Sequence, residues 1–260
     1  MLDVAGGRGD GTTHVGFLCR PDHEVFGAVA SRLEAAGTTV TFFEPGTRVA
    51  WESLAELSML VNKAVHPESF RALAWAERNG LPTWNGYETA LLGFRLVGYR
   101  ALERVGFDVP AVSTTPPEGA YLTKRIVDWH PPVEASVPVF HQELVDARAV
   151  DYKYYVVDTG DEVRTQTLMT TSKRLGPKRS LGLVTPHPFL AAKLRLLLRT
   201  TGSQALGVDF VEADQRFWAV DLNPAPSFAD VAMVGPLTDS ILARLESASP
   251  VTRGVEQSHE

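Results

Sequence analysis

Two aspartates and an asparagine near the end of the chain have the spacing of a metal site. Asp209, Asp221 and Asn223 lie in the segment GVDFVEADQRFWAVDLNPAPSF. Two short apolar runs, 208–211 and 217–222, are joined by polar residues, a pattern that predicts a β-hairpin. Because side chains alternate along a strand, a three-residue turn would place the two aspartates opposite each other, on one face with the asparagine. A two- or four-residue turn would put them on opposite faces.

Two carboxylates that face each other repel unless a cation lies between them. Oxygen ligands favour Mg²⁺ or Mn²⁺ over Zn²⁺, and Mg²⁺ commonly binds one or two carboxylates while it bridges substrate phosphates. The hairpin therefore predicts a magnesium site, with manganese as the other candidate metal. The alternative is a solvated hairpin whose acidic residues bind nothing.

The composition excludes several classes of protein. With 260 residues, 44% of them hydrophobic, the chain can form one large domain or two small ones around a substantial core. A net charge of -6 argues against a nucleic-acid surface. The single cysteine, Cys19, excludes an internal disulfide, and no apolar run reaches the ~18 residues of a membrane span. We expect a cytoplasmic protein with neither nucleic acid nor membrane as a partner; its oligomeric state is unspecified, and a homodimer stays open.

Hydrophobic periodicity divides the chain into two kinds of sequence. The first half alternates in the manner of a parallel α/β unit, with strands predicted at 14–19, 38–43, 58–62 and 82–84 and helices at 25–36, 70–78 and 90–105. From about residue 109 the predicted elements are strands at 120–126, 137–144 and 152–157, an edge strand at 164–171, and helices at 188–200 and 237–245. The expected fold class is α/β, changing to α+β in the second part.

Three segments resemble the ATP-grasp superfamily. The hairpin is similar to the family's metal-binding strands, and VFHQELVDARAVDYKYYVV (139–157) is similar to its hinge strand, connector and following strand. Residues 60–110 resemble the passage where an N-terminal domain meets the nucleotide domain. The resemblance implies an ATP-grasp fold with an N-terminal parallel α/β domain and a two-subdomain nucleotide-binding region. The corresponding division of the chain is a flexible tail at 1–13, domains at 14–94 and 95–246, and a flexible tail at 247–260.

The resemblance also implies a nucleotide site upstream of the magnesium ligands Asp209, Asp221 and Asn223. ATP would have its adenine in a slot lined, partly through backbone groups, by Gln142, Glu143, Leu144 and Val145. Asp151 would lie near the ribose, and Lys153 fits the family's Asp-x-Arg/Lys pattern. Lys124 falls where the family has a lysine on the α- and β-phosphates, although a lysine at a strand end is also common as a solvated surface group.

A basic loop and a serine complete the implied site. Lys173, Arg174, Lys178 and Arg179 correspond in order to a segment that often supplies charge to the transferring phosphate or to the acceptor. Because a glycine and a proline lie among them, they also fit an ordinary charged turn. Ser227 follows the Asn-Pro-Ala-Pro sequence and is expected to position the substrate or to cap the residues that follow it.

One feature departs from the family. ATP-grasp proteins usually have a glycine-rich loop after the lysine-bearing strand, with backbone amides that fold over the phosphates. The corresponding segment here, RIVDWHPPVEASVP (125–138), contains no glycine, so its backbone cannot approach phosphates in the usual way. Either Arg125 or His130 compensates, or the site binds nucleotide weakly.

The activity implied by the resemblance is an ATP- and Mg²⁺-dependent ligase that phosphorylates a carboxylate and lets an amine displace the phosphate. The acceptor would be a small molecule or a peptide. A kinase that phosphorylates a hydroxyl is the alternative, because AVDYKYYVV is similar to a segment of the inositol polyphosphate kinases of the superfamily. A nucleotide-binding protein with no turnover is the third reading, since the usual glycine loop is missing.

Overall fold

The computed structural model describes residues 13–133, 136–172 and 176–248. Apart from Thr13 and the last two residues of the final helix, the two predicted tails lie outside these ranges. The N-terminal part is a parallel sheet of order β2-β1-β3-β4, made of β1 (His14–Leu18), β2 (Thr39–Phe43), β3 (Met59–Asn62) and β4 (Thr83–Trp84). Its connections carry the helices α1 (Glu24–Ala35), α2 (Trp51–Ala55) and α3 (Pro67–Arg78). The predicted parallel α/β unit is confirmed; only α2, with five residues, has no prediction.

Helix α1 begins with a histidine cap. His23 Nδ1 accepts a hydrogen bond from the Phe26 amide (3.4 Å), so this nitrogen carries no proton. Burial, together with the charges of Lys63 and Arg20, lowers the pKa of His23 to about 4. The cap therefore lies beside two cations at the carboxyl end of the parallel sheet.

One predicted helix is two helices in the structure. Residues 90–105 are expected as a single helix, but α4 (Tyr87–Leu91) ends and α5 (Arg95–Arg104) begins after a turn. Gly93 lies in the turn, where a Cβ atom would come within 2.8 Å of Val65 Cγ1. The prediction of one helix is wrong, because close packing of this turn against the end of β3 overrides the helical periodicity.

Two antiparallel sheets follow. A three-stranded sheet of order β5-β7-β6 contains β5 (Val112–Ser113), β6 (Tyr121–Arg125) and β7 (Val139–Glu143). A five-stranded sheet of order β10-β9-β8-β11-β12 contains β8 (Val150–Asp158), β9 (Val163–Thr171), β10 (Ser180–Val184), β11 (Ala205–Ala213) and β12 (Arg216–Asn223). Helix α6 (Pro188–Thr201) precedes β11, and α7 (Val234–Ala248) follows β12. The prediction that β9 is an edge strand is wrong, because the short and unpredicted β10 pairs with its outer side.

The five-stranded sheet uses its two faces differently. One face packs against α5 and α6 through residues such as Tyr154 and Phe210. On the other face, Val157 packs in a core shared with α1, α7 and the parallel sheet, whereas Asp151 and Lys153 line a cleft. The mixed α/β architecture is thus confirmed. No helix among the described residues is long and apolar enough to cross a membrane.

Candidate functional site

The β11–β12 hairpin brings the two predicted metal-binding carboxylates together by an unexpected route. Its turn has two residues, Asp214 and Gln215, both with left-handed backbone (φ 49° and 60°), so the three-residue turn is wrong. A two-residue turn alone would leave Asp209 and Asp221 on opposite faces. One extra residue, Val220, bulges from β12 and shifts the register, which returns Asp221 to the position opposite Asp209.

Three charged side chains form a row on the cleft side of the sheet. Lys153 in β8 lies opposite Asp209 in β11, which lies opposite Asp221 in β12. Lys153 Nζ is 3.6 Å from Asp209 Oδ2. Burial raises the pKa of the Asp209 carboxyl and the charge of Asp221 raises it further, whereas Lys153 and Lys178 lower it. The facing carboxylates therefore lie where a cation would stabilise their charged forms.

Arg95, the first residue of α5, belongs to the site although the sequence did not single it out. Its Nε atom lies 3.3 Å from Asp221 Oδ1, and its Nη2 atom lies 2.5 Å from Asp128 Oδ2. A further bond from Nη1 to the carbonyl oxygen of Arg125 (2.7 Å) fixes the guanidinium. Arg95 is 126 residues from Asp221 and falls inside what periodicity presents as one helix, so no local signal marks it.

The bulge also positions the predicted phosphate lysine. The carbonyl oxygen of Val220 accepts hydrogen bonds from Lys124 Nζ (2.8 Å), Tyr99 Oη (2.9 Å) and Gln142 Nε2 (3.4 Å). Lys124 Nζ also donates to Tyr99 Oη (3.2 Å). Burial lowers the pKa of Lys124, and the charge of Asp221 opposes this shift. Lys124 is therefore held in the cleft wall rather than free in solvent.

The structure brings most of the predicted residues to one cleft of about 620 Å³. The predicted residues that line it are Lys124, Gln142, Glu143, Leu144, Val145, Asp151, Lys153, Asp209, Asp221, Asn223 and Ser227. Arg179 is exposed, does not line the cleft, and pairs through its backbone with Thr171. Lys178, from the same predicted basic loop, does line the cleft. Lys173 and Arg174 lie outside the described residues.

The hinge segment forms one end of the cleft. Gln142 is buried, and the amides of Glu143 and Leu144 donate to the carbonyl oxygens of Ala111 (2.8 Å) and Ala120 (3.0 Å). These bonds fix the hinge to the segments that flank the three-stranded sheet. The hinge therefore presents a firmly held wall to the cleft.

The opposite wall combines the loop after β12 with the carboxyl end of β3. Asn223 Oδ1 accepts a bond from the Ala225 amide (2.8 Å), and Lys63 Nζ donates to the Ala225 carbonyl oxygen (2.8 Å). Gly207 lies opposite Asn223, and a Cβ there would come within 3.0 Å of Pro226 Cβ, so a glycine lets this loop fold over β11. Lys63 was not predicted as a site residue. The sequence does indicate it, because a lysine directly after a buried parallel strand lies at the carboxyl end of the sheet, where ligands bind.

Asn85 ties this loop to the rest of the molecule. Its Nδ2 atom donates to the carbonyl oxygens of Pro224 (3.0 Å) and Ala205 (2.7 Å). Its Oδ1 atom accepts from the amides of Gln204 (2.9 Å) and Ala205 (3.0 Å). Asn85 is buried and has a left-handed backbone (φ 50°), which asparagine tolerates better than most residues. Its carboxamide thus joins β4, β11 and the loop after β12.

The glycine-free connection between β6 and β7 is packed onto the N-terminal part of the molecule. We call its residues 126–133 the strap. The ring of Trp129 lies edge-on to Phe70 (6.2 Å between centroids) and Phe94 (5.6 Å), and the His130 amide donates to the Val65 carbonyl oxygen (3.1 Å). Aromatic packing therefore anchors the strap to the N-terminal part of the molecule.

The donor atoms of the site fit a hard divalent cation. Among the described residues, no group of three or more histidine, cysteine, aspartate or glutamate side chains could hold a metal ion. Asp209, Asp221 and Asn223 instead offer two carboxylates and a carboxamide on one face. Mg²⁺ suits such a partial set, because it binds few protein oxygens and completes its shell with water and phosphate oxygens.

Comparison with known proteins places the fold. No family model and no curated protein matches the sequence. Among solved structures, the ATP-grasp ligase PsnB with a minimal precursor superposes with a TM-score of 0.65 at 16% identity, over 89% of this chain and 99% of that chain. The macrocyclase MdnC from Microcystis aeruginosa MRC, bound with the precursor peptide MdnA, has a TM-score of 0.63 at 13% identity, over 91% and 100%. D-alanine-D-alanine ligase from Bacillus anthracis, complexed with ATP, has a TM-score of 0.65 at 8% identity, over 92% and 97%. The chain therefore has the ATP-grasp fold, as the resemblance predicts.

Proposed function

We propose that this chain is an ATP- and Mg²⁺-dependent ligase that phosphorylates a substrate carboxylate and joins it to an amine. The observation that carries the proposal is the face-to-face pair of Asp209 and Asp221 in the wall of a cleft that also contains Lys124, Lys153 and Lys178. Two carboxylates beside several lysines match a phosphate chain bridged by a divalent cation. The proposed domains are those of the sequence prediction, 14–94 and 95–246.

The fold comparisons support the ligase reading over others. PsnB and D-alanine-D-alanine ligase are named as ligases and MdnC as a macrocyclase, and these structures contain nucleotide, Mg or precursor peptide. Identities of 8 to 16% carry the fold alone, so the proposal for this chain also rests on its own cleft. A small molecule or a peptide is the proposed acceptor.

In this proposal Asp209, Asp221 and Asn223 hold Mg²⁺, which neutralises negative charge on the phosphates when it is bound. Lys124 contacts the α- and β-phosphates, and the Val220 carbonyl oxygen keeps its ammonium aimed into the cleft. Lys153 and Lys178 stabilise the charge that develops on the transferred phosphoryl group, together with Lys173 and Arg174 of the same loop.

The adenine binds against the hinge residues Gln142, Glu143, Leu144 and Val145. Asp151 lies at the ribose. On the far side, Ser227 and the loop after β12 position the carboxylate that receives the phosphoryl group, and the amine then displaces phosphate. Arg95 and Asp128 hold Asp221 in place without contacting the reacting atoms.

The reaction is tested by incubating the protein with ATP, Mg²⁺ and pools of amino acids, small peptides or inositol phosphates. ADP release and the intact masses of the products are measured. A condensation product with free phosphate is the expected result. A product heavier by one phosphate indicates the kinase alternative, and Mg²⁺-dependent nucleotide binding without ADP release in any pool indicates a protein with no turnover.

The metal assignment is tested by Asp221→Asn and Asp209→Asn, with Asp214→Asn as the matched control. Asp214 lies in the turn of the same hairpin and outside the cleft lining, and asparagine tolerates its left-handed backbone. Each cleft variant is expected to lose about 100-fold or more of Mg²⁺-dependent ADP release, because one of two charged ligands is gone. Turnover equal to that of Asp214→Asn would contradict the assignment. Circular dichroism of all three variants monitors folding.

A further inference from the structure

The parallel sheet places one lysine at the position where open α/β sheets bind ligands. In the order β2-β1-β3-β4, helix α1 leads from β1 to β2 on one side of β1, and the chain then returns to β3 on the other side of β1. The crevice outside the carboxyl ends of β1 and β3 is therefore the topological switch point, the usual ligand site of such sheets. Lys63 directly follows β3, and its amide donates to the Leu18 carbonyl oxygen at the end of β1 (3.2 Å). Its side chain lines the cleft.

Among the residues that the structure describes, the ammonium group of Lys63 has one hydrogen-bond acceptor. Its Nζ atom donates to the Ala225 carbonyl oxygen (2.8 Å) and lies 5.8 Å from the Phe26 ring centroid. An ammonium group has three donors. Burial lowers the pKa of Lys63 to about 8, with an opposing contribution from Cys19 and a smaller lowering contribution from the charge of Arg20.

Two other cations of the cleft pair with carboxylates, and the charges of Asp221 and Asp209 act on Lys124 and Lys178. Lys153 pairs with Asp209, and Arg95 pairs with both Asp221 and Asp128. Among the described residues, no carboxylate forms an ion pair with Lys63. A partly desolvated cation without a counter-ion is costly, so this position favours an anion from outside the chain.

We propose that Lys63 binds a carboxylate of the acceptor, and that this carboxylate orients the acceptor instead of receiving the phosphoryl group. This inference depends on the proposed ligase function, because that function supplies the acceptor. In the proposed function Lys124, Lys153 and Lys178 serve the phosphates from the antiparallel sheets and their loop, whereas Lys63 reaches the same cleft from the end of β3 in the parallel sheet. The phosphoryl acceptor therefore carries two carboxylates, one bound by Lys63 and one that receives the phosphoryl group: it is an acidic amino acid, or a peptide with at least two free carboxylates.

A first experiment needs no turnover. The wild-type protein is treated with a limiting acetylating reagent in the presence of glutarate or of its uncharged analogue glutaramide, and acetylation of each lysine is followed by peptide mass spectrometry. Glutarate is expected to slow acetylation of Lys63 several-fold, glutaramide is not, and Lys193 on α6 serves as the internal reference. Equal rates with the two probes would overturn the proposal.

A second experiment uses the acceptor that supports ADP release. Lys63→Met is expected to raise the acceptor KM by about 10- to 100-fold, the loss expected for a charge-assisted hydrogen bond, with kcat changed far less. Affinity for a nonhydrolysable ATP analogue with Mg²⁺ should be unchanged, and Lys63→Arg should retain most of the acceptor affinity. An acceptor affinity that survives Lys63→Met, or an equal loss of nucleotide affinity, would overturn the proposal.

Failure of the proposed ligase function and failure of the proposed role of Lys63 give different experimental results. If the proposed function fails, Mg²⁺-dependent nucleotide binding or ADP release is missing, whereas protection of Lys63 by glutarate is measured without either. An acceptor whose amidated form works as well as its acid, in the wild-type protein, would overturn the role of Lys63 while leaving the ligase activity intact.

Discussion

Replacement of Trp129 by alanine should detach the strap from the N-terminal part of the molecule. The indole packs edge-on against Phe70 of α3 and Phe94 before α5, and neither partner belongs to a strand. The sheets should therefore remain folded in Trp129→Ala. The same segment carries Asp128, which holds the guanidinium of Arg95, so detachment should also loosen the support of the metal site.

The size of the effect follows from the two ring contacts. Each edge-to-face pair contributes about 0.5 to 1.5 kcal/mol beyond simple burial, so their loss should weaken strap docking by about 1 to 3 kcal/mol. Since 1.4 kcal/mol is a factor of ten, the population of the detached strap should rise about 5- to 140-fold. The burial lost by the half-exposed indole adds to this.

Hydrogen exchange measures this population directly. The His130 amide is bonded to the Val65 carbonyl oxygen, so its exchange should accelerate by about the factor above, while amides in β8 and β11 keep their protection. Trp51→Ala is the matched control. Trp51 stacks on Trp75 (6.0 Å between centroids), away from the strap, so it makes the same chemical change without releasing the segment.

Equal exchange of the strap in Trp129→Ala and Trp51→Ala would refute the reasoning. The strap would then be held by the Asp128–Arg95 pair and by backbone bonds, and Asp128→Asn would be the variant that releases it. Loss of protection throughout β8 and β11 would also refute it, because Trp129 would then support the whole fold.

Two further predictions concern the contacts around the cleft. The Asn85 carboxamide makes four hydrogen bonds, so Asn85→Ala should lower the free energy of urea unfolding by about 3 to 5 kcal/mol. Asn79→Ala, which loses one exposed bond, should cost under about 1 kcal/mol. Equal losses in the two variants would contradict the role of Asn85 in joining β4, β11 and the loop after β12. His23 has a pKa lowered from 6.5 to about 4, first by burial and then by Lys63 and Arg20. The unfolded chain therefore binds the proton first, and stability should fall as pH decreases from 6.5 to about 4. Asparagine keeps the helix cap, so His23→Asn should reduce the dependence of the free energy of unfolding on pH over this range, measured as a pH series of unfolding curves. An unchanged dependence would contradict the role of His23.

The sequence predicts the parallel sheet well because its central strands are buried on both faces. Such strands read as short apolar runs, and β1 and β3 are almost wholly buried. The prediction fails where packing overrides periodicity, as in the turn at Gly93 that divides one predicted helix into two. It also fails for β10, because five residues with a glycine at 182 carry little pattern.

Some residues of the cleft can be grouped from the sequence and others cannot. Asp209, Asp221 and Asn223 share one hairpin, so spacing alone is enough to group them. Arg95 and Asp128 join them only in three dimensions, and no sequence pattern links an arginine at a helix start to a carboxylate 126 residues away. Residues that share one hairpin are therefore easier to group from the sequence than residues that reach the site from distant parts of the chain.

The register of the hairpin could not be derived from the sequence, because two departures from the expected geometry cancel. The turn at Asp214 and Gln215 is one residue shorter than expected, and the bulge at Val220 adds one residue back. Neither alone would align Asp209 with Asp221. The bulge also frees the Val220 carbonyl oxygen for Lys124, so one irregularity sets both the carboxylate pair and the lysine beside it. A strand without this bulge would separate the two carboxylates and lose the anchor of the lysine together.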